Sequence, residues 1–174
     1  VPFFFFEGRG DSFEAMRQPQ LALGKKGGPL GRSLDRLFPL LAGADEAAAL
    51  FAAELEGFSF NAVLRFNAGE TNNAQEAAAG PVPHLFELKG PPPLFPLYFA
   101  KFKDLTLIGS SPEKVSTMTK ALEKGEGGMA IPWGVEKKWP NHFYLYDGGI
   151  ISRLASKILP GISPGGLSLT GAWR

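Results

Sequence analysis

Glycine and proline fall in five clusters along this chain, and the clusters limit how long any regular element can run. They lie at Gly24–Gly31, Gly80–Pro83, Gly90–Pro93, Gly125–Gly128 and Pro160–Gly166, in a sequence holding 22 glycines and 15 prolines. Glycine loses the most backbone freedom on folding, and proline lacks a backbone donor, so both interrupt helices and strands. The stretches between the breaks suit short elements. They predict an α+β fold: short antiparallel strands with a few helices, in a single loop-rich domain spanning 1–174. Residues 1–43 read as a more loosely attached N-terminal segment. A chain of 174 residues can bury one real core.

Charge and composition exclude several functions. The formal net charge is +1, and Lys25-Lys26 and Lys137-Lys138 are the adjacent basic pairs. That leaves no electrostatic footprint for nucleic acid. Without cysteine there is no disulfide, thiolate nucleophile or cysteine metal site. The two histidines, His84 and His142, lack ligand spacing, so no metal-ligating set is expected from the residues themselves. Absence of cysteine fits a reducing compartment, and the expected location is cytoplasmic. No apolar run approaches the ~20 residues of a membrane span. Phe3–Phe6 comes nearest, stops at Glu7, and reads as a buried edge strand. The chain begins with Val1, which reads as a processed, trimmed or incomplete start.

Hydrophobic periodicity places the elements. Residues 1–6 read as a strand and Glu7–Ser12 as a turn, with a short helix at Phe13–Arg17. The alanine-rich segment Ala44–Glu56 is the strongest predicted helix: Leu50, Phe51 and Leu55 form its stripe, Asp45 and Glu46 its first turn, and Gly57 its stop. Phe58–Phe66 alternates as a strand. Asn67–Pro83 reads as loop with one helical turn near Ala74–Ala79, and His84–Leu88 as a short strand or helix. Phe95–Gly109 reads as two strands broken at Lys103-Asp104. Ser111–Gly125 follows as a helix, with Ser111 as cap, Pro112 in the first turn and Glu113 beside it. Short strands at Met129–Ile131 and Phe143–Tyr146, a helix at Ile150–Ile158 and a glycine-rich turn over 159–174 complete the prediction.

Several motifs carry chemistry in principle. Arg9-Gly10-Asp11 matches an adhesion tripeptide, but three residues in a cysteine-free chain read better as a polar turn. Gly24–Gly31 holds two lysines among glycines, yet lacks the G-x-x-x-x-G-K-[ST] order of a phosphate loop. Glu54, Glu56, Glu123 and Glu126 read as solvated helix faces, and His142 as a packed, hydrogen-bonded residue. Glu113 is the acid candidate. It stands on a turn at a helix N-terminus, where a carboxylate is stabilised in its charged form.

The stretch Phe99–Glu113, ending Leu-Ile-Gly-Ser-Ser-Pro-Glu, resembles the chorismate-utilising enzymes, whose members include anthranilate synthase component I and the aminodeoxychorismate, isochorismate and salicylate synthases. These carry F-Y-L-x-F-x-D-F-x-L-I-G-S-S-P-E. Asp45–Glu56 followed by Gly57–Phe66 is similar to their E-A-A…A-G-D-I-F-Q-V-V-L-S-R-R-F. Gly127–Lys137 resembles G-S-V-x-V-P…V-E-K, and Pro164–Ala172 resembles P-G-G-S-V-T-G-A. The matches keep the family order over residues 45–172.

The resemblance implies addition of a nucleophile at chorismate C2 with loss of the C4 hydroxyl, magnesium holding the carboxylates. Glu113 would be the general acid for that hydroxyl. Asn61 stands where water-using members carry a base lysine, which points to the ammonia-using branch. Ser111, Thr170, Gly171 and Ala172 would bind substrate. No counterpart exists of the G-T-R-P-R-G segment or of the D-L-x-R-N-D-L-G helix with its magnesium-binding glutamates. The expectation is therefore a truncated or degenerate enzyme of this type, acting on a small molecule. The other class of function is a non-enzymatic α+β binding or structural subunit that meets a protein partner through its aromatic strands.

Overall fold

The computed structural model describes residues 3–9, 37, 40–54, 57–66, 80–85, 96–126, 140–148 and 168–173. Its frame is one antiparallel sheet of eight strands: β1 (Phe3–Gly8), β2 (Glu46–Glu54), β3 (Gly57–Arg65), β4 (His84–Leu85), β5 (Tyr98–Phe102), β6 (Leu105–Gly109), β7 (Asn141–Tyr146) and β8 (Ser168–Trp173). Their order is β4-β5-β6-β3-β2-β1-β7-β8. One long helix, α1 (Pro112–Glu123), follows β6, and Leu37 and residues 40–42 are also helical. The sheet outweighs the helices, so the expected α+β class holds only in its antiparallel strands and accompanying helices.

The period-2 alternation of the strands divides the core between two faces. One face carries Phe6, Ala49, Ala62 and Ile108 in adjacent register and is packed by Leu37, Leu40 and Leu41. The other carries Ala100 and Leu107, against which α1 lays Val115, Met118 and Leu122. Gly109 lets the helix come close, since an added Cβ would sit 2.8 Å from Val115 Cγ2. Burial on both faces explains why the interior strands read as near-continuous apolar runs.

Ala44–Glu56 is not a helix. Residues 46–54 form β2, bonded to β1 on one side and β3 on the other. Alanine is a good helix former, but its propensity amounts to tenths of a kcal/mol per residue and gives way to tertiary context. Here each small side chain has one bulky cross-strand neighbour: Ala49 lies opposite Phe6 and Ala47 opposite Leu64. Glu46 caps no helix, and its carboxylate instead meets the cross-strand Arg65 at 2.7 Å. Gly57 opens β3 opposite Glu54.

Two further expectations change. β1 runs through Glu7 to Gly8 and lies inside the sheet between β2 and β7, not at an edge. Residues 168–173 form β8 along β7 instead of a turn. His84–Leu88 resolves at its start into the two-residue strand β4. The β5–β6 hairpin, its break at Lys103-Asp104, β3, β7 and the Ser111-capped helix stand where the sequence puts them. The helices expected at Phe13–Arg17 and Ile150–Ile158, the turn at Ala74–Ala79, the strand at Met129–Ile131 and the loop Gly24–Gly31 lie outside the described residues. No described helix is long and apolar enough to cross a membrane.

Candidate functional site

The Ser-Ser-Pro-Glu segment is fixed to the sheet by its first serine. Ser110 donates its backbone N–H to the Phe60 carbonyl at 2.9 Å and accepts the Phe60 N–H on its hydroxyl at 3.2 Å. Both bonds go to the residue preceding Asn61. Ser111 then takes extended backbone angles and accepts the Lys114 N–H on its hydroxyl at 3.2 Å, which caps α1. Pro112 supplies the fixed φ of a first-turn residue, and Glu113 follows it. One tie thus sets the position of the helix N-terminus relative to the Asn61 strand.

Asn61 faces α1 from the middle of β3. Its partner across β6 is Gly109, which has no side chain to fill the space beside the amide. The Asn61 Oδ1 atom is buried and accepts no hydrogen bond within the described structure. A buried acceptor left without a donor costs about 1–3 kcal/mol. It stands at the wall of a cavity of about 780 Å3 that is lined also by Ser111, Glu113 and Lys114, with Glu7 and Glu126 contributing further carboxylates. Phe5, Leu50, Val63, Met118 and Leu122 form its apolar walls.

Of the residues singled out in the sequence, Asn61, Ser111 and Glu113 therefore share one cavity. Thr170 does not line it. It belongs to the same cross-strand row as Asn61, through Leu50, Phe5 and Tyr144, but at four strand steps, roughly 19 Å at ordinary interstrand spacing. Ala172 lies opposite His142, and Gly171 opposite Phe143 on the other face of the sheet, where an added Cβ would collide with the Phe143 ring. Glu123 and Glu126 are exposed, as expected. Glu54 belongs to a strand, and Glu56 lies outside the described residues.

Compared with protein-family models, curated proteins and solved structures, the chain matches none. The site stands on its own geometry.

Sequence reasoning missed Glu7. The local pattern places it in a turn, yet it pairs with Ala48 and His142 on the α1 face. His142 is buried, as expected, and its Nδ1 lies 3.8 Å from Glu7 Oε1. Glu7, Ala48 and Val63 also line a second cavity of about 560 Å3, whose walls include Arg9, Glu46, Arg65 and His142. Arg65 is held by Glu46 and, at 3.2 Å, by Asp104. The signal that could have exposed Glu7 was the alternation continuing from Phe3 and Phe5 into Glu7. Arg9 of the adhesion tripeptide donates its backbone N–H to Asn141 Oδ1 at 2.9 Å, while Gly10 and Asp11 lie outside the described residues.

Among the described residues no group of three histidine, cysteine, aspartate or glutamate side chains could hold a metal ion.

Proposed function

We propose that this chain is a truncated or degenerate chorismate-utilising enzyme of the ammonia-dependent type, with Glu113 as general acid. The observation that carries the reading is the shared cavity: Glu113 and Asn61, to which the resemblance assigns the acid and the amide, line one pocket with Ser111. Asn61 Oδ1, a buried acceptor, suits the N–H of ammonia, and an amide takes no proton from water. The reaction would form a C2–N bond as the C4–O bond breaks, and Glu113 would give its proton to the departing hydroxyl, which leaves as water. Lys114 and the positive end of the α1 dipole are the groups suited to a substrate carboxylate. Thr170 and Ala172 would meet substrate only if it reached across the sheet towards β8, and Gly171 faces away from that side. The cysteine-free composition suits work in the reducing cytoplasm.

Incubation of the protein with chorismate and ammonium salt, followed by chromatography of the products, tests the reading. Wild-type protein is expected to form an aminated product. Glu113→Gln is expected to lower kcat by about 100-fold or more, with the fold unchanged by circular dichroism. No turnover by wild-type protein, or undiminished turnover by Glu113→Gln, sinks it.

A further inference from the structure

The cavity holds a second group able to move a proton, and it is backed by a buried imidazole. Glu7 and His142 are cross-strand partners on β1 and β7, with Oε1 and Nδ1 3.8 Å apart. The histidine side chain is 5% exposed and the glutamate 32%, so the pair presents its carboxylate outward and keeps its imidazole behind. Glu7 lines both cavities and is the one acidic residue common to their described walls. Among the described residues the charged groups that line cavities with Glu7 are Arg9 just past β1, Glu46 on β2 and Arg65 on β3 in the smaller cavity, and Glu113 and Lys114 of α1 with Glu126 after it in the larger. Arg65 is already ion-paired with Glu46 and Asp104, and Ala172 on β8 brings no charge.

We propose that Glu7, positioned by His142, is the proton acceptor that converts ammonium into ammonia at the Asn61–Glu113 cavity. This rests on the amination reading above. Ammonium has no lone pair and cannot attack carbon until it gives up a proton. That proton passes to the Glu7–His142 pair, the nitrogen lone pair forms the C2–N bond, and the C4–O bond breaks as Glu113 protonates the leaving hydroxyl. The proton held by the pair then returns to the Glu113 carboxylate. One proton leaves ammonium and one enters water, so the cycle closes without another reactant. Glu7 acts on the nucleophile, and His142 orients and supports the carboxylate.

The experiment is a pH series of ammonia-dependent turnover in wild type, Glu7→Gln and His142→Asn. At neutral pH Glu7→Gln is expected to lower kcat/KM for ammonia about 100-fold, the usual scale of acid–base assistance. The deficit should shrink steadily as pH rises and solution ammonia loses its proton unaided. A Glu7→Gln deficit of equal size at every pH, or none at all, overturns the assignment. His142→Asn should show the same pH-rescued deficit if it folds. If it does not fold, Glu7→Gln, which keeps side-chain size and shape, decides alone. The two proposals separate cleanly: wild-type turnover with normal Glu7→Gln overturns only the Glu7 role, whereas Glu113→Gln with normal turnover overturns the reaction. Absence of wild-type turnover overturns both.

Discussion

Lys103 shows how one backbone angle constrains a residue choice. It sits in the two-residue break between β5 and β6 with φ of 55°, a left-handed conformation that costs most side chains about 1–2 kcal/mol. Its Nζ lies 5.2 Å from the centre of the Phe102 ring, a cation–π contact contributing about 0.5–1 kcal/mol at an exposed site. Asparagine tolerates such angles and β-branched residues do not. Lys103→Val is therefore expected to be less stable than Lys103→Asn by about 1 kcal/mol, read as a lower urea midpoint at unchanged slope. Equal midpoints would show that the turn relaxes to negative φ. The same scale shows why Asn61 stands out: its oxygen is buried against a glycine partner, among the apolar and small residues that precede Arg65 in β3.

At the scale of elements, α1 is the part of the fold that local chemistry specifies. Ser111 as cap, Pro112 in the first turn, Glu113 at the positive end and Lys120 in the last turn are readable signals, and all are used. Ser111→Ala is expected to cost about 1 kcal/mol of stability through the lost bond to the Lys114 N–H. Thermal unfolding followed by circular dichroism checks this, and an unchanged midpoint would mean that packing of Val115 on the sheet holds the helix without its cap. β2 is the opposite case. Its alanines satisfy a helix rule locally, while the size of Ala49 and Ala52 satisfies a sheet rule only opposite Phe6 and Phe3 of β1. Glu7 was lost for the same reason, because a carboxylate after four phenylalanines looks like the end of a strand until β7 supplies a histidine partner.

For the whole molecule, the sheet order predicts how stability is distributed. β1, β2 and β3 are each bonded on both sides, while β4 and β8 are the end strands of the described sheet. Amide hydrogen exchange should be slowest for residues in β1–β3 and fastest for His84–Leu85 and 168–173. Slow exchange across 46–54 combined with helical Cα shifts would contradict the strand assignment of β2. The site depends on this frame, since β1 brings Glu7, β3 brings Asn61 and the turn after β6 brings Glu113.

The sequence by itself determined the β5–β6 hairpin, the capped helix behind it with Glu113 in its first turn, and the alternating β3 strand. Those features rest on contacts within a few residues, on turn chemistry and on period. Only the tertiary structure decided that the alanine-rich segment is a strand, that β1 is interior, that residues 168–173 extend the sheet, and that Glu7 stands beside His142. Each of those depends on which strand lies alongside, and cross-strand size matching and burial on two faces join residues far apart in the chain. Ser110 links the two kinds of information, since its paired bonds to Phe60 carry a locally specified helix start to the strand that holds Asn61.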